Sequence, residues 1–136
     1  MRRVIRTLHV SLVVLVTAGV LVQATLAGQF ISGTSDALGL HGAVGGLLEL
    51  AALVLLVVAI AHRVIGERSR VALIGSVALA LGLTVQAGLG WAPGEVPTAV
   101  HVPLGVCIFA GSLLLSVAMR RVGVKDPRTV LVDQPV

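Results

Sequence analysis

All ten lysines and arginines of this chain fall in three clusters. They are Arg2, Arg3 and Arg6; Arg63, Arg68 and Arg70; and Arg120, Arg121, Lys125 and Arg128. Between the clusters run two long apolar stretches, each interrupted by a short polar segment with one acidic residue, Asp36 in the first and Glu95 in the second. About 20 residues suffice to cross the hydrocarbon core of a bilayer. A backbone in lipid must satisfy its own polar groups, which leaves helices as the spanning form for runs like these. Each stretch therefore reads as two spanning helices joined by a turn. The chain is 57% hydrophobic and 12% charged, with a mean hydropathy of +1.06, more apolar than a soluble domain of this length can bury.

Basic residues gathered in alternate loops mark the cytoplasmic side. The segments holding Asp36 and Glu95 contain neither Lys nor Arg. The expectation is a multi-pass protein of the cell membrane with four spans and both termini cytoplasmic. A net charge of +4 and a pI near 11.1 would suit nucleic acid. The confinement of that charge to loops between apolar runs argues for the lipid bilayer as partner, and no nucleic acid.

The fold class that follows is all-α, a four-transmembrane-helix bundle over residues 1–120, with helices at about 8–30, 36–61, 71–91 and 97–119. Residues 121–136 would form a cytoplasmic C-terminal tail. The first run could pass for a signal peptide with Thr25-Leu26-Ala27 at its cleavage site. That reading is set aside because the end of this run matches the interior of the third.

The match is an internal repeat, which fixes the architecture before any motif is read. Gly19-Val20-Leu21-Val22-Gln23-Ala24-Thr25-Leu26 aligns without a gap to Gly82-Leu83-Thr84-Val85-Gln86-Ala87-Gly88-Leu89. Each segment continues through a polar turn to a histidine followed by glycine four residues on, His41/Gly45 and His101/Gly105. A tandem repeat of two antiparallel helices implies a pseudo-twofold axis along the membrane normal. It puts His41 and His101 at the same depth near the outer face, able to meet across the bundle.

Imidazole is a good ligand for iron, copper or zinc. An ion held by protein alone usually takes three or four donors. Haem needs only axial ligands, because the macrocycle supplies four nitrogens. Two histidines beside an apolar slot therefore suit bis-His ligation of haem b, with Gly45 and Gly105 clearing room for a flat ring. Gln23 and Gln86 would hydrogen-bond an imidazole or a haem edge, or bond helix to helix.

Other polar residues within the apolar runs have plainer readings. Glu49, two turns below His41 and near the level of Thr17, reads as a carboxyl bonded across helices, ahead of a proton relay or quinone site. His9 and His62, near the inner leaflet on neighbouring helices, read as interfacial residues snorkelling beside arginines, ahead of a second bis-His site. Cys107 reads as a small core residue. Trp91 and Phe30 read as interface anchors or the rim of a haem slot.

This pattern resembles half of a haem A synthase, a family of two four-helix halves, each with a histidine in its second and fourth helices near the outer face. The resemblance covers about residues 8–120 in topology and histidine placement. His41-x-x-x-Gly45 matches the ends of the family's His-Arg-x-x-Gly. The family's arginine is Gly42 here, its preceding glutamate has only Asp36 as a rough counterpart, and its outer-loop cysteine pair is absent. The resemblance implies haem ligation by His41 and His101, and a role in electron transfer or haem handling. Partners would be a second copy or larger membrane complex, and a quinone or a redox partner. The alternative is a scaffold or transporter subunit without haem, in which the two histidines bond helices together.

Overall fold

The computed structural model describes residues 1–65 and 69–121, with 95 and 96 described by backbone alone. It holds four helices, α1 Arg2–Ile31, α2 Asp36–Ile65, α3 Arg70–Trp91 and α4 Glu95–Arg121. Each contains a segment long and apolar enough to cross a membrane. Among the described residues there is no strand. The helices extend past the expected boundaries because Arg3, Arg63, Arg70 and Arg120 are good helix formers and continue the coil beyond the apolar run. Residues 122–136, which include most of the expected tail, lie outside the described residues, as do 66–68 of the basic loop.

Neighbouring pairs are α1 with α2, α2 with α3, α3 with α4, and α4 with α1. The chain thus traces a square, up-down-up-down bundle. One end carries the chain start, the α2–α3 connection and the end of α4, and with them every arginine among the described residues; the arginine-free end carries the two tight turns. At those turns Gly33 (φ +96°) and Gly94 (φ +110°) adopt the left-handed conformation that glycine enters without steric cost. At the start of α3, Ser69 caps the helix by accepting from the Ala72 amide at 3.2 Å.

Pro103 lies inside α4, two turns past its start at Glu95, and the helix continues through it. Proline is tolerated inside spanning helices, where the freed backbone groups find other partners.

The core is one cluster built from all four helices, including Val13 and Val16, Leu48 and Leu55, Leu79 and Leu83, and Ile108 and Leu115. Leu, Ile and Val elsewhere on every helix face outward, for example Leu21, Leu47, Leu81 and Leu114. That outer apolar belt has no use in water and is what a bilayer covers. Cys107 belongs to it: it is exposed, so its reading as a core residue is corrected.

Candidate functional site

Two polar clusters interrupt the core, one toward each end. His9 in the first and Gln23 in the second both lie on α1, fourteen residues apart, which at 1.5 Å per residue separates the clusters by roughly 20 Å.

At the arginine-free end the repeat is reproduced in hydrogen bonds. His41 Nδ1 lies 3.1 Å from the backbone oxygen of Gln23, and His101 Nδ1 lies 3.0 Å from the backbone oxygen of Gln86. A carbonyl oxygen can only accept, so each Nδ1 carries the hydrogen and donates it. In the neutral ring Nε2 is then the lone-pair nitrogen, the state in which imidazole binds a metal, with Nδ1–H anchored as metal-ligating histidines anchor theirs. The two rings come from diagonal helices, α2 and α4. Their centroids are 6.1 Å apart and their planes inclined by 54°. The repeat's central expectation, that the two imidazoles meet across the bundle, is realised.

Gln86 takes the helix-to-helix part, one of the two expected of the glutamines, whereas the glycines make room for amides. Gln86 Nε2 donates to the His101 backbone oxygen at 2.9 Å. A Cβ on Gly105 would sit 3.2 Å from that same Nε2, and one on Gly45 would sit 2.8 Å from Gln23 Nε2. The space over both glycines is therefore taken by a glutamine amide, whereas the sequence reading reserved it for a flat ring. Both amides present nitrogen to the facing helix, and both leave a buried Oε1 without a hydrogen-bond partner. The cluster thus offers the lone pairs of Nε2 and Oε1 beside the N–H donors of the two amide nitrogens. The imidazole lone pairs suit an electron-pair acceptor.

The donor set fits haem on chemical grounds. Among the described residues no group of three or more His, Cys, Asp or Glu is placed to hold an ion. Two imidazoles with open Nε2 atoms are what a macrocycle carrying its own four nitrogens requires.

The second cluster pairs His9 with His62, the arrangement that the sequence ranks behind snorkelling. His9 and His62 do not snorkel; His9 is fully buried and His62 is 4% exposed. Their Nδ1 atoms are 2.9 Å apart, and His9 Nε2 lies 2.8 Å from Ser76 Oγ on α3. The rings meet edge to face at 86°. His62 Nε2 is buried and makes no hydrogen bond. It borders a cavity of about 90 Å³ lined by all four helices, with Arg6, Ser69 and Met119 among its walls. That volume has room for water, a partner for the open nitrogen. The correction has a physical reason. Each histidine lies on the helix face that also buries Val13 and Val16, or Leu55 and Ala59, so its ring turns inward whatever its distance from an arginine. That periodicity was the signal available in the sequence.

Glu49 is bonded across helices as expected, but to α3: Thr84 Oγ1 donates to its Oε1 at 2.9 Å. Thr17 instead donates to the Val13 backbone oxygen on its own helix. Trp91 is 81% exposed and Phe30 44%, and a Cβ on Gly42, next to His41, would lie 4.0 Å from Trp91 Cζ2.

Comparison with family models, curated proteins and solved structures finds no match to this chain. The chemistry of the site is therefore argued from its own geometry.

Proposed function

We propose that the chain is a multi-pass membrane haem b protein, with both termini cytoplasmic and with His41 and His101 as the residues that would hold the haem iron near the opposite face. The observation that carries this reading is the duplicated anchoring of the two rings. Each Nδ1–H is fixed on a backbone carbonyl, each Nε2 is open, and the ring centroids are 6.1 Å apart. Haem bound there would supply one-electron redox chemistry. The backbone carbonyls of Gln23 and Gln86 would hold the two imidazoles in orientation, which tunes a redox group. Electron transfer or haem handling is the activity this supports, with a quinone or redox protein as exchange partner.

The Nδ1 bonds also favour a second reading, because they tie α1 to α2 and α3 to α4. On that reading the histidines are structural, in a scaffold or transporter subunit without haem.

Absorption spectra of detergent-purified protein separate the two. The haem reading expects a Soret band and the reduced α and β bands of a six-coordinate haem, lost or shifted in His41→Ala and in His101→Ala. Colourless protein that also fails to take up added hemin overturns it.

A further inference from the structure

The seam between α1 and α4 is not filled. A groove of about 300 Å³ runs along it, walled by Val14, Thr17, Ala18 and Leu21 on one side and by Leu113, Ser116, Val117 and Arg120 on the other. The wall is apolar in effect. Thr17 and Ser116 spend their hydroxyls on the backbone oxygens of Val13 and Leu113, within their own helices. The one charge is Arg120, at the arginine-rich mouth, exposed and with no ion pair or hydrogen bond among the described residues.

The repeat provides an internal comparison. The pseudo-twofold axis carries the α1–α4 seam onto the α3–α2 seam. There Leu56 stands where Ser116 stands here, Leu81 where Ala18 stands, and Ile60 where Arg120 stands. Leu56 packs against the core. At that level one seam is closed by Leu56 and its twin left open by Ser116, with a cation at one end, while Leu81 and Ile60 are exposed.

We propose that this groove holds one acyl chain of an anionic glycerophospholipid, with the lipid phosphate on the Arg120 guanidinium. From Leu113 to Arg120 is seven residues, roughly 10 Å of helix, enough for the upper part of a chain. A body with no use for hydrogen bonds must lie along the groove, and an anion must lie at its mouth. Guanidinium pairs with phosphate oxygens through two parallel N–H···O bonds, which a zwitterionic lipid offers with an opposing cation beside it. The groove lies apart from His41 and His101, so the proposal does not depend on haem.

The test is native mass spectrometry of the full-length, delipidated chain in detergent. Phosphatidylglycerol and phosphatidylcholine with identical acyl chains are added at equal concentration. One basic side chain near an anionic membrane surface contributes about 1 kcal/mol, a preference of about fivefold. We expect phosphatidylglycerol to be retained at least that strongly over phosphatidylcholine. Arg120→Gln removes the preference while Arg121→Gln keeps it. Ser116→Leu, which copies the closed seam, reduces retention of both lipids with Arg120 intact. Circular dichroism shows that each variant is folded; Arg120→Gln is a surface change and keeps the test decisive should Ser116→Leu misfold. Equal retention of the two lipids by the wild type overturns the proposal. So does a preference that survives Arg120→Gln, retention of an isoprenoid quinone in place of the lipid, or a dimer that Ser116→Leu dissociates.

Discussion

His9 Nδ1 and His62 Nδ1 face each other at 2.9 Å inside the bundle, with room for one hydrogen between them. One ring donates and the other accepts, and His9 Nε2 extends the chain to Ser76 on α3. Three helices are thus tied by three side chains where lipid and core offer no substitute. His9→Ala strands His62 Nδ1 and Ser76 Oγ, each orphaned group costing about 1–3 kcal/mol. A thermal melt in detergent should fall well below wild type, and further than for Ser76→Ala, which strands only His9 Nε2. A His9→Ala protein that melts with the wild type contradicts this account.

Glycines at the helix seams divide into two sets that alanine scanning separates. A Cβ on Gly19 would run into Leu48 Cδ2, and one on Gly75 would stand 2.7 Å from Leu115 Cδ1. Both leucines belong to the packed core. Overpacking of this kind costs about 1–3 kcal/mol. Nothing lies within 4 Å of a Cβ on Gly28 or Gly88, where alanine gains up to about 1 kcal/mol of helix propensity. Gly19→Ala and Gly75→Ala should lower the melting temperature, and Gly28→Ala and Gly88→Ala should hold or raise it.

Gly90→Ala reaches the histidine site without touching a ligand atom. Its Cβ would lie 3.2 Å from His101 Cε1, the carbon between the two ring nitrogens. The ring must tilt on its Nδ1 anchor. For protein that binds haem, a shift in the Soret maximum or in reduction potential is expected, with occupancy largely retained. Gly46→Ala, where nothing lies within 4 Å, serves as the control and leaves the spectrum unchanged.

Thr84 and Glu49 test polar pairing at mid-bundle. Glu49→Gln keeps an amide oxygen for the Thr84 hydroxyl, whereas Glu49→Ala leaves it with only its own helix to bond. Hydrogen bonds between spanning helices average about 0.6 kcal/mol and reach about 1–2 kcal/mol. Detergent-denaturation midpoints should therefore place Glu49→Gln close to wild type and Glu49→Ala below it. Equal loss in both variants would assign the effect to the carboxyl group itself.

The orientation is open to a direct measurement. A cysteine placed at Thr34, in a background lacking Cys107, should react in intact cells with a membrane-impermeant maleimide. One placed at Arg3 should react only after permeabilisation. The reverse pattern would invert the topology read from the arginine clusters.

The sequence by itself determined the four helices, their order and the pairing of the two halves. Apolar runs of spanning length admit one backbone solution in lipid, and the aligned Gly19–Leu26 and Gly82–Leu89 segments carry Gln23 and Gln86, His41 and His101 to equivalent places. Tertiary structure alone decided what each of those groups touches. Helical periodicity fixes a face, but the partner on that face depends on helix rotation and on which side chain arrives from the neighbour. So the glycines below His41 and His101 receive glutamine amides, Glu49 finds Thr84 before Thr17, and His9 turns inward to His62 and Ser76. The two histidines of the repeat were legible because symmetry constrains both at once. The two at the arginine-rich end have no such relation in the chain, and only packing joined them.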